Sequence, residues 1–89
     1  MVITEIFYTS RFVKDFMKLP TDKQRVAIKR EKLFKQNPFS SVLRTHKLSG
    51  KLRGYWSFSI TYSDRVLFRF EGKDSAIFYK IGSHAIYSR

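Results

Sequence analysis

Residues 55–70 read YWSFSITYSDRVLFRF, and their alternation decides the fold. From Tyr55 to Thr61 every second residue is large and apolar: Trp56, Phe58 and Ile60 share one face, and Tyr55, Ser57, Ser59 and Thr61 share the other. A period of two belongs to a half-buried β-strand. Val66, Phe68 and Phe70 alternate in the same way with Arg65, Leu67 and Arg69. A two-residue loop at Ser63-Asp64 sets the apolar face of the first strand on the arginine face of the second, whereas a three-residue loop, Tyr62-Ser63-Asp64, aligns the two apolar faces. Because a slip of one residue flips every side chain, the three-residue loop is expected.

Working outward, the Glu71-Gly72-Lys73-Asp74 turn leads to a last strand over Ser75 to Ile81, ending at Gly82. On the other side, Leu43 to Leu48 reads as extended, bounded by Ser49-Gly50 with a further glycine at Gly54. Phe12, Val13, Phe16 and Met17 recur at helical spacing after an N-cap at Ser10, and Pro20 stops them. A second helix starts at Thr21, whose hydroxyl caps while Gln24 reaches back, and runs through Val26, Ala27, Leu33 and Phe34 to Asn37-Pro38. Lys23, Arg25, Lys29, Lys32 and Lys35 cover its other faces and read as a solvated surface. Residues 2–8 form an opening strand. The expectation is an α+β fold, with an N-terminal strand and two helices packed on one face of an antiparallel sheet, and residues 1–89 as a single domain.

A chain of 89 residues lies near the lower size at which one hydrophobic core sustains folding without staples. Its composition, 43% hydrophobic and 17% aromatic, is that of a folded domain rather than a basic disordered tail, so the charge sits on a structured surface. With no cysteine, disulfides and thiolate ligands are excluded, and two histidines with seven Asp and Glu argue against a zinc cage or a two-metal site. Chemistry without metal or cofactor is expected. No apolar run approaches the length that crosses a bilayer, and the opening residues do not read as a secretion leader, so a cytoplasmic protein with no membrane partner is expected.

Eighteen Lys and Arg against seven Asp and Glu give a net charge of +11, whose self-repulsion phosphates or an acidic partner relieve. On the face opposite the apolar one, Arg65 and Arg69 stand with Tyr55, Ser57, Ser59 and Thr61. Guanidinium groups fork onto phosphate oxygens, and tyrosine offers both a stacking plate and a hydroxyl. Lys47, Lys51 and Arg53 flank this surface on one side, and the tail Gly82 to Tyr87 flanks it on the other. RNA cleavage without metal needs a base for the 2′-hydroxyl, an acid for the leaving oxygen, and cations for the charge building on phosphorus. Histidine, with an unperturbed pKa of about 6.5, suits the first two and arginine the third. Singly, His46 reads as a polar residue at a sheet rim, Tyr87 as a packing anchor and Asp64 as a turn former. The co-occurrence of His46, His84, Arg65 and Arg69 on so basic a chain points to RNA.

The stretches His46-Lys47-Leu48-Ser49-Gly50, Gly54-Tyr55-Trp56-Ser57, Arg65-Val66-Leu67-Phe68 and Gly82-Ser83-His84-Ala85-Ile86-Tyr87 resemble the RelE/ParE superfamily of toxins from bacterial toxin–antitoxin systems. The likeness covers essentially the whole chain and is greatest to the YafQ-type and YoeB-type mRNA interferases. It implies a RelE-like fold and a ribosome-dependent endoribonuclease silenced by a cognate acidic antitoxin, with ribosome and mRNA as further partners. By position it implies catalytic roles for His46, Asp64, Arg65, His84 and Tyr87, and it leaves the division of base and acid between the two histidines open. Lys47, Lys51, Arg53, Tyr55 and Arg69 are the expected RNA contacts. YafQ-type enzymes carry a further histidine near Ile60 to Tyr62 that this chain lacks, and the YoeB-type glutamate base has no counterpart except His46. The superfamily also holds ParE-like gyrase inhibitors without catalytic activity, which is the alternative function.

Overall fold

Thr9, rather than Ser10, caps the first helix. Its hydroxyl accepts from the Phe12 amide at 3.0 Å and donates to the Tyr79 carbonyl at 2.8 Å, so a strand nearly seventy residues away selects the cap. The computed structural model describes residues 1–87, and of His84 and Ala85 only the backbone course. Helix α1 spans Ser10–Lys18 and α2 spans Thr21–Gln36. The capping box expected at Thr21 does not form: Pro20 is the cap residue, with no side-chain cap bond, and the Gln24 amide instead donates to the Phe16 carbonyl at 3.0 Å, tying α2 to the last turn of α1. Among the described residues no helix is long and apolar enough to cross a membrane.

Five strands follow the order β1-β5-β4-β3-β2, with β1 at Glu5–Tyr8, β2 at His46–Lys47, β3 at Trp56–Ser59, β4 at Arg65–Glu71 and β5 at Ser75–Gly82. Strands β2 to β5 form the expected antiparallel meander, and β1 adds to β5 in parallel, so the sheet is mixed. Tight turns force antiparallel pairing only between strands they join, and β1 reaches its partner through no such turn. The segment expected to be extended from Leu43 is instead a 3₁₀ turn at Ser41–Leu43, followed by the two residues of β2.

The β3–β4 register is Ser59↔Arg65, Phe58↔Val66, Ser57↔Leu67 and Trp56↔Phe68, which makes the connection residues 60–64 rather than three residues. A displacement of two residues preserves the faces, so the apolar sides align as expected. The Ile60 amide bonds the Asp64 carbonyl at 2.9 Å and closes the loop. A bulge, with Leu67 opposite Lys80 and Phe68 opposite Phe78, leaves Tyr79 as the extra residue and returns Ile81 to the core.

The helices cover one face of the sheet. Phe34 of α2 is fully buried, its ring 4.8 Å from Phe58, 5.0 Å from Phe68 and 5.3 Å from Phe78. Ile3, Leu43, Val66 and Ala76 complete this apolar layer. Neither α1 nor α2 covers the other face, which carries the candidate site residues Tyr55, Ser57, Arg65 and Arg69.

Candidate active site on the open face of the sheet

One register row crosses the open face from His46 to Ser57, Leu67 and Lys80. Beside it, Ser59 pairs with Arg65 and Arg65 with Gly82. On the other side the Arg69 guanidinium lies 5.5 Å over the Tyr55 ring, and Tyr55 meets Tyr79 edge-on at 5.2 Å. Alternation thus brings together the side chains that the sequence placed on one face.

Tyr87 reaches this row because the chain reverses after β5. Gly82 has φ +156, a conformation L side chains rarely adopt, and a Cβ there would stand 3.1 Å from Ile86 Cγ2, crowding the 3₁₀ turn His84–Tyr87 that folds back. Ile86 is buried and anchors that turn. The Tyr87 hydroxyl then lies 2.7 Å from Ser57 Oγ, on a serine with no exposed surface. Nothing in the local pattern around Ser57 marked it as the partner of Tyr87.

His46 is exposed, and its Nδ1 lies 2.9 Å from the Arg44 carbonyl. A carbonyl only accepts, so Nδ1 is the donor in this bond, and in the matching neutral tautomer Nε2 is the nitrogen that bears the lone pair. The carbonyl is aimed by an unusual backbone: Arg44 has φ 52 and ψ 40, the one non-glycine residue at positive φ among the described residues. That conformation costs a side-chain-bearing residue about 1–2 kcal/mol.

Three expected site residues are placed differently. Asp64 is buried and turns to the helix layer, where its Oδ2 meets Lys23 Nζ at 2.9 Å and accepts from Thr61 Oγ1 at 2.7 Å, so the structure does not bring it to His46. Lys47 pairs with Trp56 and holds its ammonium 5.6 Å over that ring, on the opposite face of the sheet from His46. Arg65 stands on the open face, but its Nη1 is clamped by the carbonyls of Thr61, Tyr62 and Asp64 at 3.1, 2.9 and 3.2 Å. It therefore shapes the loop as well as facing the site. Lys51 and Arg53 are exposed on the turn before β3. The side chain of His84, and with it the catalytic role assigned to it, lies outside the described residues. Among the described residues the two ion pairs are Arg11–Asp15 and Lys23–Asp64, both off this face.

Burial pushes the Asp64 carboxyl up, but the Thr61 hydroxyl, the Lys23 ammonium and a hydrogen bond from Ser63 outweigh it and hold its pKa below the ordinary value. A depressed native pKa stabilises the fold above the unfolded value of about 3.9 and loses that contribution as pH falls through the native one. Asp64→Asn is expected to be about 1 kcal/mol less stable than wild type at pH 7, with Lys23 partly solvated and the loss discounted accordingly. Urea unfolding at pH 7 and pH 3 measures the difference, which should shrink in acid. An unchanged gap at both values would contradict this account of Asp64.

No family model matches the chain, and no curated protein matches it in sequence. Solved structures do. A YoeB/ParE toxin from Agrobacterium tumefaciens is 20% identical, with a TM-score of 0.78 over 91% of this chain and 99% of its own. The toxin–antitoxin complex RelBE2 from Mycobacterium tuberculosis contains a chain that is 20% identical, with a TM-score of 0.79 over 96% of this chain and 95% of that one. YafQ from E. coli is 18% identical, with a TM-score of 0.69 over 94% and 97%. At these identities the likeness is one of fold.

Proposed function

We propose, for a chain that has the fold of the RelE/ParE toxins, that it is the toxin of a toxin–antitoxin pair and cleaves mRNA on the ribosome by general acid/base catalysis. The observation that carries this reading is His46, held as the Nδ1–H tautomer by the Arg44 carbonyl, in one register row with the Ser57–Tyr87 hydroxyl pair. Nε2 of His46 takes the 2′-hydroxyl proton, and the attacking oxygen closes on phosphorus. Arg65 and Arg69 supply positive charge to the phosphorane oxygens and the flanking backbone, and Tyr55 offers a ring to an unpaired base. The Tyr87 hydroxyl orients the phosphate, and His84 is the acid that protonates the leaving 5′-oxygen. Asp64 has no place in this scheme.

Mapping mRNA 5′ ends after brief expression tests the reading. New ends inside translated messages, absent when initiation is blocked, are the expected result. If DNA replication stops first and purified gyrase is inhibited while messages stay intact, the chain is instead a gyrase inhibitor of the ParE kind.

Tyr87→Phe keeps the ring and deletes the hydroxyl that meets buried Ser57, which should cost about 1 kcal/mol of stability. Single-turnover cleavage on programmed ribosomes should fall more than ribosome affinity, as for a contact made mainly in the transition state. An unchanged rate would return Tyr87 to a packing role.

The silencing partner is an acidic amphipathic segment. Between α1, α2 and the sheet lies a largely apolar groove of about 320 Å³ whose lining includes Phe12, Val13, Phe16 and Ile28, with Glu31 as its one acidic residue. Exposed Lys14, Lys18, Arg25 and Lys29 stand on the same two helices, a charge pattern that an acidic chain with apolar anchors complements. Ile28→Glu, at a half-exposed position, should leave the fold intact and weaken the complex with the antitoxin by about tenfold or more, measured by titration calorimetry. Full affinity in this variant would move the contact elsewhere.

A further inference from the structure

Strand β2 pairs with β3 only at Trp56 and Ser57, so the edge of β3 beyond them is left open. A second pocket of about 180 Å³ occupies that edge. Three arginines from three different elements line it: Arg30 from α2, Arg44 from the bend before β2, and Arg65 from β4. The hydroxyl-bearing residues Ser59, Thr61 and Tyr62 line it as well, and no Asp or Glu does. Asp64, whose carboxylate lies behind the lining, is already paired with Lys23, so three cationic residues around one pocket repel one another and an anion seated among them lowers that cost. Planar guanidiniums together with the hydroxyls of Ser59 and Tyr62 match the oxygens of a phosphate group, while the Thr61 hydroxyl is donated to Asp64.

Arg44 connects this pocket to the candidate active site. It is one of the residues lining the pocket, and its carbonyl accepts from His46 Nδ1. Its left-handed backbone is what lets one residue serve both neighbours, and a glycine would adopt that backbone more readily. An arginine in a conformation that favours glycine points to a use for the guanidinium.

We propose that this pocket is a phosphate-binding subsite that seats a backbone phosphodiester of the RNA next to the one cleaved at His46. The proposal rests on the RNA reading above and names where the strand is gripped. A phosphate held there fixes the position of the neighbouring ribose relative to His46 through Arg44, so its loss misplaces the 2′-hydroxyl.

The test uses the purified full chain without ribosomes, titrated with inorganic phosphate in one arm and with an uncleavable 2′-deoxy-substituted RNA oligonucleotide in the other. Both should shift the backbone amides of Arg44, Thr61 and Arg65. Arg30→Gln and Arg44→Gly should each weaken oligonucleotide binding by about tenfold and lower the salt slope of log K by about one. Lys73→Ala removes the same charge from the exposed β4–β5 turn and should change affinity by no more than about twofold. Arg44→Gly should melt at or above the wild-type temperature, because its backbone strain is relieved and the carbonyl on His46 remains. Oligonucleotide affinity in Arg44→Gly or Arg30→Gln no lower than in Lys73→Ala overturns the subsite. Amide shifts with inorganic phosphate but none with the oligonucleotide overturn its assignment to RNA. Selective loss in the two arginine variants, in a chain that leaves ribosomal mRNA intact, upholds the subsite while the nuclease reading falls.

Discussion

His46→Ala is expected to lower single-turnover cleavage on programmed ribosomes by about 10²–10⁴, the range that a positioned proton-transfer group contributes. The side chain is exposed, its one described bond is to the Arg44 carbonyl, and the strand it sits on is two residues long, so the melting temperature should stay within a degree or two. Ribosome affinity should also hold, since His46 is not among the groups that grip phosphates. His46→Gln restores a hydrogen-bond donor near the Arg44 carbonyl and still lacks a basic nitrogen, so it should remain as slow as the alanine variant. If His46 and His84 act as one unit, the double variant should be little slower than the slower single one. Cleavage by His46→Ala within a few-fold of wild type would remove the base from the mechanism and with it the central residue of the site.

Phe34→Ala should remove a large share of the protein's stability. The ring is fully buried, stacks on Phe58, meets Phe68 and Phe78 edge-on, and is the principal contact between α2 and the middle of the sheet. Truncations of this kind cost about 3–5 kcal/mol, against a total of about 5–15 kcal/mol for a small domain. Phe34→Leu refills part of the space and should cost far less. Urea titrations with an unchanged m-value would report the loss as one of stability alone. A loss below about 1 kcal/mol for the alanine variant would mean that α2 is not seated on the sheet as described. Toxicity should follow stability in this pair of variants, whereas in His46→Ala it should disappear from a folded chain.

Arg65→Ala belongs between these two cases. Its guanidinium clamps three loop carbonyls and the residue stands on the open face with the proposed site, so truncation should lower both stability and activity. Arg69, exposed and resting on Tyr55, separates the two effects more cleanly.

Which side of β3 and β4 faces the core was legible in the residues themselves, whereas of the expected α1 stripe Phe12 and Phe16 pack inward and Val13 and Met17 stay exposed. The period of two in Tyr55–Thr61 and Arg65–Phe70, the helical spacing of Phe12, Val13, Phe16 and Met17, and the stops at Pro20 and Pro38 depend only on neighbours two to four positions apart, and side chains that close along the chain share a face or a stripe by geometry. The same alternation placed Arg65, Arg69, Tyr55 and Ser57 together, and the excess of eleven positive charges pointed to an anionic partner before any contact was known. The tertiary structure alone decided the rest. It set the β3–β4 register two residues from the expected one, gave the helix cap to Thr9, turned Asp64 to Lys23 and Lys47 to Trp56, and placed Tyr87 against Ser57. Each of those choices is a competition between partners far apart along the chain, Thr9 with Tyr79 or Ser57 with Tyr87, and a local period carries no information about a distant partner. A shift of two residues in register is invisible to the period for the same reason, because it leaves every side chain on its own face.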